Sequence, residues 1–198
     1  MNLRTAALAA SALTIALVLA GCSTTTSSST MPSDMPGMDH SATSAAPQFN
    51  DPDIAFATQM IPHHQQAVEM ADILLAKTGV DSRVVDLAKK IKAAQTPEIT
   101  TMTSWLKTWS QPSPQPMDGM AMNGMMSQDD MNALTNASGT ASSQLFLQQM
   151  IQHHQGAIDM ANEELSTGKN ADALALAKTI IDAQKAEIAT MNEILATL

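Results

Sequence analysis

The chain has 198 residues and a formal net charge of −9 at pH 7, with 19 acidic against 10 basic side chains. This balance argues against nucleic-acid binding, which depends on a basic surface. Because the chain has 16 methionines, three phenylalanines and no tyrosine, its core must be built from Ala, Leu, Ile and Met. Such a composition suits helices better than strands, and the length suits one packed domain.

The N-terminus carries the pattern of a secretory signal. A positive start at Arg4 is followed by an uncharged stretch from residue 5 to residue 20, which ends in Leu-Ala-Gly-Cys22. The stretch is too short for a membrane-spanning helix. Its last four residues resemble the lipobox of bacterial lipoproteins, which implies cleavage before Cys22 and a diacylglycerol on its sulfur. Two acyl chains give durable attachment to a membrane, so we predict a lipid-anchored protein of the cell envelope outside the cytoplasm.

Cys22 is the only cysteine in the chain. Once it is lipidated, no thiol is left for a disulfide, a thiolate metal site or nucleophilic catalysis. Any metal chemistry of the protein must then use imidazole, thioether or carboxylate groups.

Two segments have the composition of linkers. The first is a Ser/Thr/Pro-rich tether with too few large apolar groups to fold alone. The second is rich in proline and glycine and holds six methionines between Met117 and Met131, which predicts a loop. The predicted division is a signal peptide (1–21), a lipidated tether (22–50) and a helical domain (51–198), the last made of repeat one (51–110), a linker (111–140) and repeat two (141–198).

The rest of the chain contains one pattern twice. Met60-Ile-Pro-His-His recurs 90 residues later as Met150-Ile-Gln-His-His, and Gln95-Thr-Pro-Glu-Ile recurs 89 residues later as Gln184-Lys-Ala-Glu-Ile. Each unit predicts a helix, a glycine-containing turn and a second helix. A lone hairpin cannot bury its apolar face, but two can bury theirs together. We therefore predict an all-α fold, a four-helix bundle built from two tandem hairpins with a long Met/Pro-rich crossover.

Two prolines and two caps bear on where these helices begin and end. Pro62 and Pro97 fall inside the predicted helices of repeat one, where each would produce a kink or a break. The intact second repeat favours a kink. Ser82 and Asn170 are the predicted N-caps of the second helix in each repeat.

The predicted helices bring metal-ligating side chains to their apolar faces. Both histidines and both methionines of the repeated motif share one face of the first helix, whereas Glu69 and Asp159 lie on the solvated side. The glutamate of the second helix lies on the apolar stripe, which is costly unless it is paired or bound to metal. The candidate metal ligands are His63, His64, His153, His154, Met60, Met70, Met150, Met160, Glu98, Glu187, Met102 and Met191.

Two other interpretations of these residues stay open. The histidines and glutamates could form a purely structural hydrogen-bond network or a proton-transferring catalytic site. The methionines could be ordinary core residues that fill gaps. A dense polar set that occurs in both repeats favours a metal site over either, because an apolar core would be more stable without it.

The doubled motifs resemble the ferritin-like bacterial family known as domain of unknown function three hundred and five. The resemblance covers about residues 51–198. It implies a ferritin-like helical fold built from one or two hairpins and a secreted or lipid-anchored location. Some similar periplasmic proteins bind copper and help cells to resist it, so the resemblance makes copper binding an expectation here.

Ligand softness decides which metal to expect. Thioethers prefer Cu(I) or Ag(I), and imidazoles suit copper, zinc and iron. A di-iron site is disfavoured because the chain has no Glu-Xaa-Xaa-His motif and only two core glutamates, whereas di-iron bundles use four. We predict Cu(I) bound by the four histidines with Met60, Met70, Met150 and Met160. Glu98 and Glu187 would orient the imidazoles, or bind directly in Cu(II) or Zn(II) forms.

The predicted role is sequestration, buffering or hand-off of copper, without an organic cofactor. A ferritin-like metal-dependent oxidoreductase and a structural module that docks a partner at the cell surface are the alternatives. The sequence assigns no protein partner. It also leaves open whether the two His-His pairs form one shared metal site or two.

Overall fold

The computed structural model describes residues 48–114 and 123–198, and all regular structure in these ranges is helical. The helices are α1 (Asp51–Leu75), α2 (Ser82–Thr108), α3 (Gln128–Asn136), α4 (Gly139–Thr167) and α5 (Ala171–Leu195). None of these five helices is both long enough and apolar enough to cross a membrane. The predicted signal peptide, the lipidation at Cys22 and nearly all of the tether lie outside the described residues.

The helices pack as two hairpins placed side by side. Helix α1 packs along α2, and α4 packs along α5, while α1 and α4 form the contact between the hairpins. Helix α3 lies against both α1 and α4. The predicted all-α bundle of two tandem hairpins is therefore confirmed.

Hydrogen bonds at the helix ends show that α1 and α4 run antiparallel. The carboxylate of Asp53, near the start of α1, accepts from the backbone N–H groups of Lys169 and Asn170, at 2.9 Å each. Near the start of α4, the hydroxyl of Ser143 accepts from the backbone N–H of Asp81 at 3.1 Å. Each central helix thus ties down the loop of the other hairpin, and the two hairpins are related by an approximate twofold axis.

Local sequence signals explain most of the helix boundaries. Asn170 caps α5 as predicted, but the N-cap of α2 is Asp81 and Ser82 is already helical. Asp81 is the cap because its carboxylate accepts from the N–H of Arg83 at 2.9 Å. Helices α1 and α2 run without interruption through their internal prolines, so the alternative of a break that divides repeat one, which the sequence disfavours, does not occur.

Helix α3 lies in the segment that the sequence predicts as a loop. Ser127 and Asp130 form a reciprocal capping box at its start, which satisfies two backbone donors of the first turn. Its buried side chains, Met131 and Leu134, pack into the bundle. The crossover is therefore partly ordered, and it covers one side of α1 and α4.

The core consists of two apolar clusters. The first includes Met70, Leu74, Ile91, Phe146, Met150 and Met191. The second includes Phe56, Met60, Met102, Leu106, Ala157 and Ile180. Between these two sets, each of the four long helices carries at least one buried polar side chain, so a polar layer divides the core.

Candidate metal centre

The polar layer receives side chains from all four long helices. Its members are His63, His64, His153, His154, Gln95, Glu98, Gln184 and Glu187. The four imidazoles are completely buried, and the two amides are nearly so. The repeat thus brings two copies of the same polar set together in the middle of the bundle.

His63 and His153 face each other where α1 crosses α4. Their ring centroids lie 3.7 Å apart with an angle of 39° between the planes. Among the residues that the structure describes, none forms a hydrogen bond with any of their four ring nitrogens. Burying a polar group without a hydrogen bond is costly. Each neutral ring therefore offers one nitrogen lone pair to a ligand, and none of these nitrogens has a hydrogen bond to a described residue that binding would have to break.

His64 and His154 are each held by a glutamate from the neighbouring helix of the same hairpin. The Nε2 atom of His64 lies 2.8 Å from Oε2 of Glu98, and that of His154 lies 2.7 Å from Oε2 of Glu187. A neutral imidazole that donates from Nε2 keeps a lone pair on Nδ1. Both Nδ1 atoms are buried and have no hydrogen-bond partner in the described part of the chain. The glutamates lie at the edge of the layer, with side chains 18% and 20% exposed.

Burial keeps the facing histidines neutral. It lowers the pKa of His63 to about 3, and repulsion from His64 and His154 acts in the same direction. The pKa of His153 is also well below its ordinary value, again mainly because of burial. A metal-binding imidazole must be unprotonated, so both rings are in the form that binds metal at neutral pH.

The predicted methionine ligands lie on both sides of the polar layer. Met70, Met150 and Met191 are buried in the first apolar cluster, and Met60 and Met102 are buried in the second. The sixth, Met160, is only partly buried and lines a cavity of about 240 Å³ between the start of α1 and the end of α4. Met160 therefore differs in burial from its counterpart Met70, whose side chain is fully buried.

The donor set fits a soft ion better than a hard one. Within residues 48–114 and 123–198, no three His, Cys, Asp or Glu side chains are arranged to hold a metal ion. Zinc sites in proteins use three or four such ligands. Imidazoles flanked by thioethers are the donors that Cu(I) and Ag(I) take.

Two features of the structure have no counterpart among the predictions from the sequence. The first is the approach of Asn123 and Gly124 to α4 at Gly156. The second is the burial of Glu164, whose counterpart in repeat one is Leu74. Both could have been found from the repeat, because each lies at a position where the two copies differ in size or polarity.

The fold and the site define a tandem-hairpin helical domain with a buried histidine layer at its centre. The family described as "Domain of unknown function (DUF305)" matches residues 53–195, and the chain belongs to this family. The family resemblance stated from the sequence is thus confirmed. A comparison with curated proteins found no match.

Solved structures of related proteins share this fold. A DUF305 protein of Streptomyces coelicolor, described as secreted, is 34% identical over 74% of this chain and 91% of its own, with a TM-score of 0.68. A DUF305 fragment from Deinococcus radiodurans is 30% identical over 77% of this chain and 100% of its own, with a TM-score of 0.71. CopM in the Cu(I)-bound form is 32% identical over 73% of this chain and 96% of its own, with a TM-score of 0.62. Cu(II)-bound, Ag-bound and apo forms of CopM match as well.

Proposed function

We propose that this protein binds copper, chiefly as Cu(I), outside the cytoplasm and sequesters it, buffers it or passes it on. The observation that carries the proposal is the facing pair of His63 and His153, which is buried, neutral and without hydrogen bonds to the described residues. A pair kept only for structure would be more stable if its nitrogens were bonded. The Cu(I)-, Cu(II)- and Ag-bound forms of the related CopM support a soft metal.

The proposed ligands are the histidines of the polar layer and the thioethers beside it. A ring-centroid distance of 3.7 Å between His63 and His153 favours one shared site over two separate ones. Glu98 and Glu187 would fix the tautomer and orientation of the two outer histidines, as carboxylates do around metal-bound imidazoles. Met60, Met70, Met102, Met150 and Met191 would supply thioethers from the two clusters, and Met160 would join them only after a rearrangement.

The location is part of the same proposal. Lipidation of Cys22 would hold residues 51–198 at a membrane surface through the tether, in the division of the chain given above. The related protein of Streptomyces coelicolor, described as secreted, supports a place outside the cytoplasm.

The test is an anaerobic titration with Cu(I), and separately with Zn(II), of protein that begins at Ser23, followed by mass spectrometry under native conditions. We expect tight Cu(I) binding that falls sharply in the double variant His63→Ala/His153→Ala. The matched control is Gln65→Ala/Gln152→Ala, which changes two exposed positions on the same helices. Undiminished Cu(I) binding by the histidine variant, or no binding by any of the proteins, would rule out the bundle site.

A further inference from the structure

The described end of the crossover passes directly over the histidine layer. Residues 123–126, which we name the strap, are not helical and lead into α3. Gln66 of α1 holds the strap through both ends of its amide. Its Nε2 donates to the carbonyl oxygen of Met126 at 2.9 Å, and its Oε1 accepts from the N–H of Met126 at 2.7 Å. The side chain of Met126 is itself buried in the first apolar cluster.

Helix α4 makes room for the strap at Gly156. A Cβ atom at this position would overlap the carbonyl oxygen of Asn123 and lie 2.7 Å from the Cα of Gly124. Gly124 has a φ of +80°, a conformation that only glycine adopts without strain. Gly156 is the counterpart of Gln66 in the repeat. The two repeats therefore differ at this position: Gln66 binds the strap by hydrogen bonds, and Gly156 leaves space for the strap backbone.

The strap lies against the turn of α4 that carries His153. A Cβ atom at Gly124 would lie 2.9 Å from the backbone oxygen of His153, and the side-chain amide of Asn123 donates to the carboxylate of Asp159, on the same helix, at 2.8 Å. The rings of His63 and His153 are 0% exposed. The outer histidines are instead turned toward the glutamates of α2 and α5. The strap has no helical hydrogen bonds of its own, so it should open at a lower free energy than the long helices.

We propose that the strap is the cover through which a soft monovalent ion reaches and leaves His63 and His153, with Gln66 and Gly156 as the positioning residues that keep it closed. The choice of ion rests on the proposed function, whereas the cover is a property of the metal-free protein. Met125, which is half-buried on the strap, adds a thioether at the point of entry, and Cu(I) and Ag(I) prefer such a ligand.

The first test uses metal-free protein. Gln66→Ala and Gly156→Ala loosen the strap from opposite sides, and Gln65→Ala and Gln152→Ala change exposed residues of the same two helices. The readout is the rate at which diethyl pyrocarbonate modifies the two facing histidines, resolved by peptide mass spectrometry. Gln66→Ala removes two hydrogen bonds to the strap, and Gly156→Ala places a methyl group where the strap backbone lies. We therefore expect a modification rate about tenfold higher in both strap variants and no change in the controls. Equal rates in all the proteins would overturn the proposal.

Folding of the variants is checked by circular dichroism. Gly156→Ala should keep its helix, because alanine is a better helix former than glycine, so the test does not depend on Gln66→Ala alone. If Gly156→Ala is folded and its histidines stay as protected as those of the wild type, the strap is not the cover.

The second test measures the release of Ag(I) to a competing chelator. We expect release about tenfold faster in both strap variants, with a dissociation constant within about threefold of the wild type, since entry accelerates as well. Faster histidine modification with unchanged release would refute the gating role. If the wild type itself binds no Ag(I) at the histidines, the proposed function fails, and the modification rates still decide whether the strap is a cover.

Discussion

Glu164 of α4 lies buried beside Asp53 of α1, and both side chains are almost completely removed from solvent. As an ionised carboxylate, Glu164 has no hydrogen-bond partner among the described residues, but once protonated it can donate to Asp53. Burial raises the pKa of Glu164 to about 8, and the neighbouring Asp53 acts in the same direction. The pKa of Asp53 is lowered by the backbone N–H groups of Asn170, Lys169 and Asn50, against the opposing effect of its burial.

This pair predicts that the contribution of Glu164 to stability decreases as the pH rises toward about 8. A raised pKa means that the folded state holds the proton more tightly, so the contribution of Glu164 is full below its unfolded pKa and is lost as the pH rises to about 8. We expect the free energy of unfolding of the metal-free protein to drop by about 1 kcal/mol between pH 7 and pH 9, a range in which the facing histidines are neutral in the folded and unfolded states and do not contribute. Urea denaturation at the two pH values measures this.

The control for this prediction comes from the repeat and from a neighbour. Glu164→Leu restores the residue type of Leu74 and should remove the loss of stability at high pH, whereas Glu163→Gln, an exposed change, should leave it in place. The explanation is wrong if Glu164→Leu keeps the pH dependence of the wild type.

The two His–Glu contacts predict a loss of metal affinity when the carboxylates are removed. Glu98→Ala/Glu187→Ala should weaken Cu(I) binding by about tenfold to a hundredfold, because the two outer imidazoles lose the groups that fix their orientation. Competition with a chromophoric Cu(I) chelator measures the change. Gln65→Ala/Gln152→Ala serves as the control, and equal affinities in the two double variants would contradict a supporting role for the glutamates.

The ring nitrogens of His63 and His153 have no hydrogen-bond partner among the described residues. We therefore predict that replacing both histidines stabilises the metal-free protein while it weakens metal binding. His63→Leu/His153→Leu should raise the free energy of unfolding of the metal-free protein by about 1–3 kcal/mol, because it removes buried polar atoms that lack partners. Ag(I) should then raise the melting temperature of the wild type but not of the variant. Differential scanning calorimetry with and without the ion checks both parts. A variant less stable than the wild type would indicate that the rings are packed for structure.

The proposed lipidation of Cys22 predicts a change of compartment when this residue is replaced. In a bacterial host, Cys22→Ala should move the protein from the membrane fraction to a soluble or unprocessed form, since the acyl chains have no other attachment point. Fractionation with immunoblotting and metabolic labelling with palmitate detect the difference. Ser23→Ala is the control, and labelling that survives the Cys22 change would exclude this anchor.

The repeat was sufficient to predict the hairpins and the polar layer. Two copies of His-His and of Gln-Xaa-Xaa-Glu at matching positions predict that equivalent faces meet in one core, and the structure brings His63 and His153 into contact. The sequence could not predict whether the pairs would meet at one point, because that depends on how α1 is placed along α4. Hydrogen bonds between distant residues, such as that between Ser143 and Asp81, fix this placement.

Helix α3 and the strap show where composition misleads. The proline and glycine content of the linker predicts a loop, but the segment contains the short helix α3. Its capping signal, Ser127 followed by Asp130, is present in the sequence. The repeat makes Met160 equivalent to Met70, but Met160 lines a cavity and is only partly buried, because packing differs at the two ends of the bundle. The sequence does not indicate the contact made by Gln66, because its partner is the backbone of Met126, 60 residues further along the chain.

The approximate twofold axis passes between His63 and His153, and this has a consequence for how such a protein could arise. Each hairpin alone holds half of the facing pair, so a protein with a single hairpin would complete the site only by associating with a second copy of itself. In a symmetric dimer, occupancy would depend on protein concentration. Joining the two copies in one chain makes their encounter intramolecular, so the facing pair forms even when a single molecule is present. Fusion also frees the halves to diverge, as the Gln66 and Gly156 positions have done.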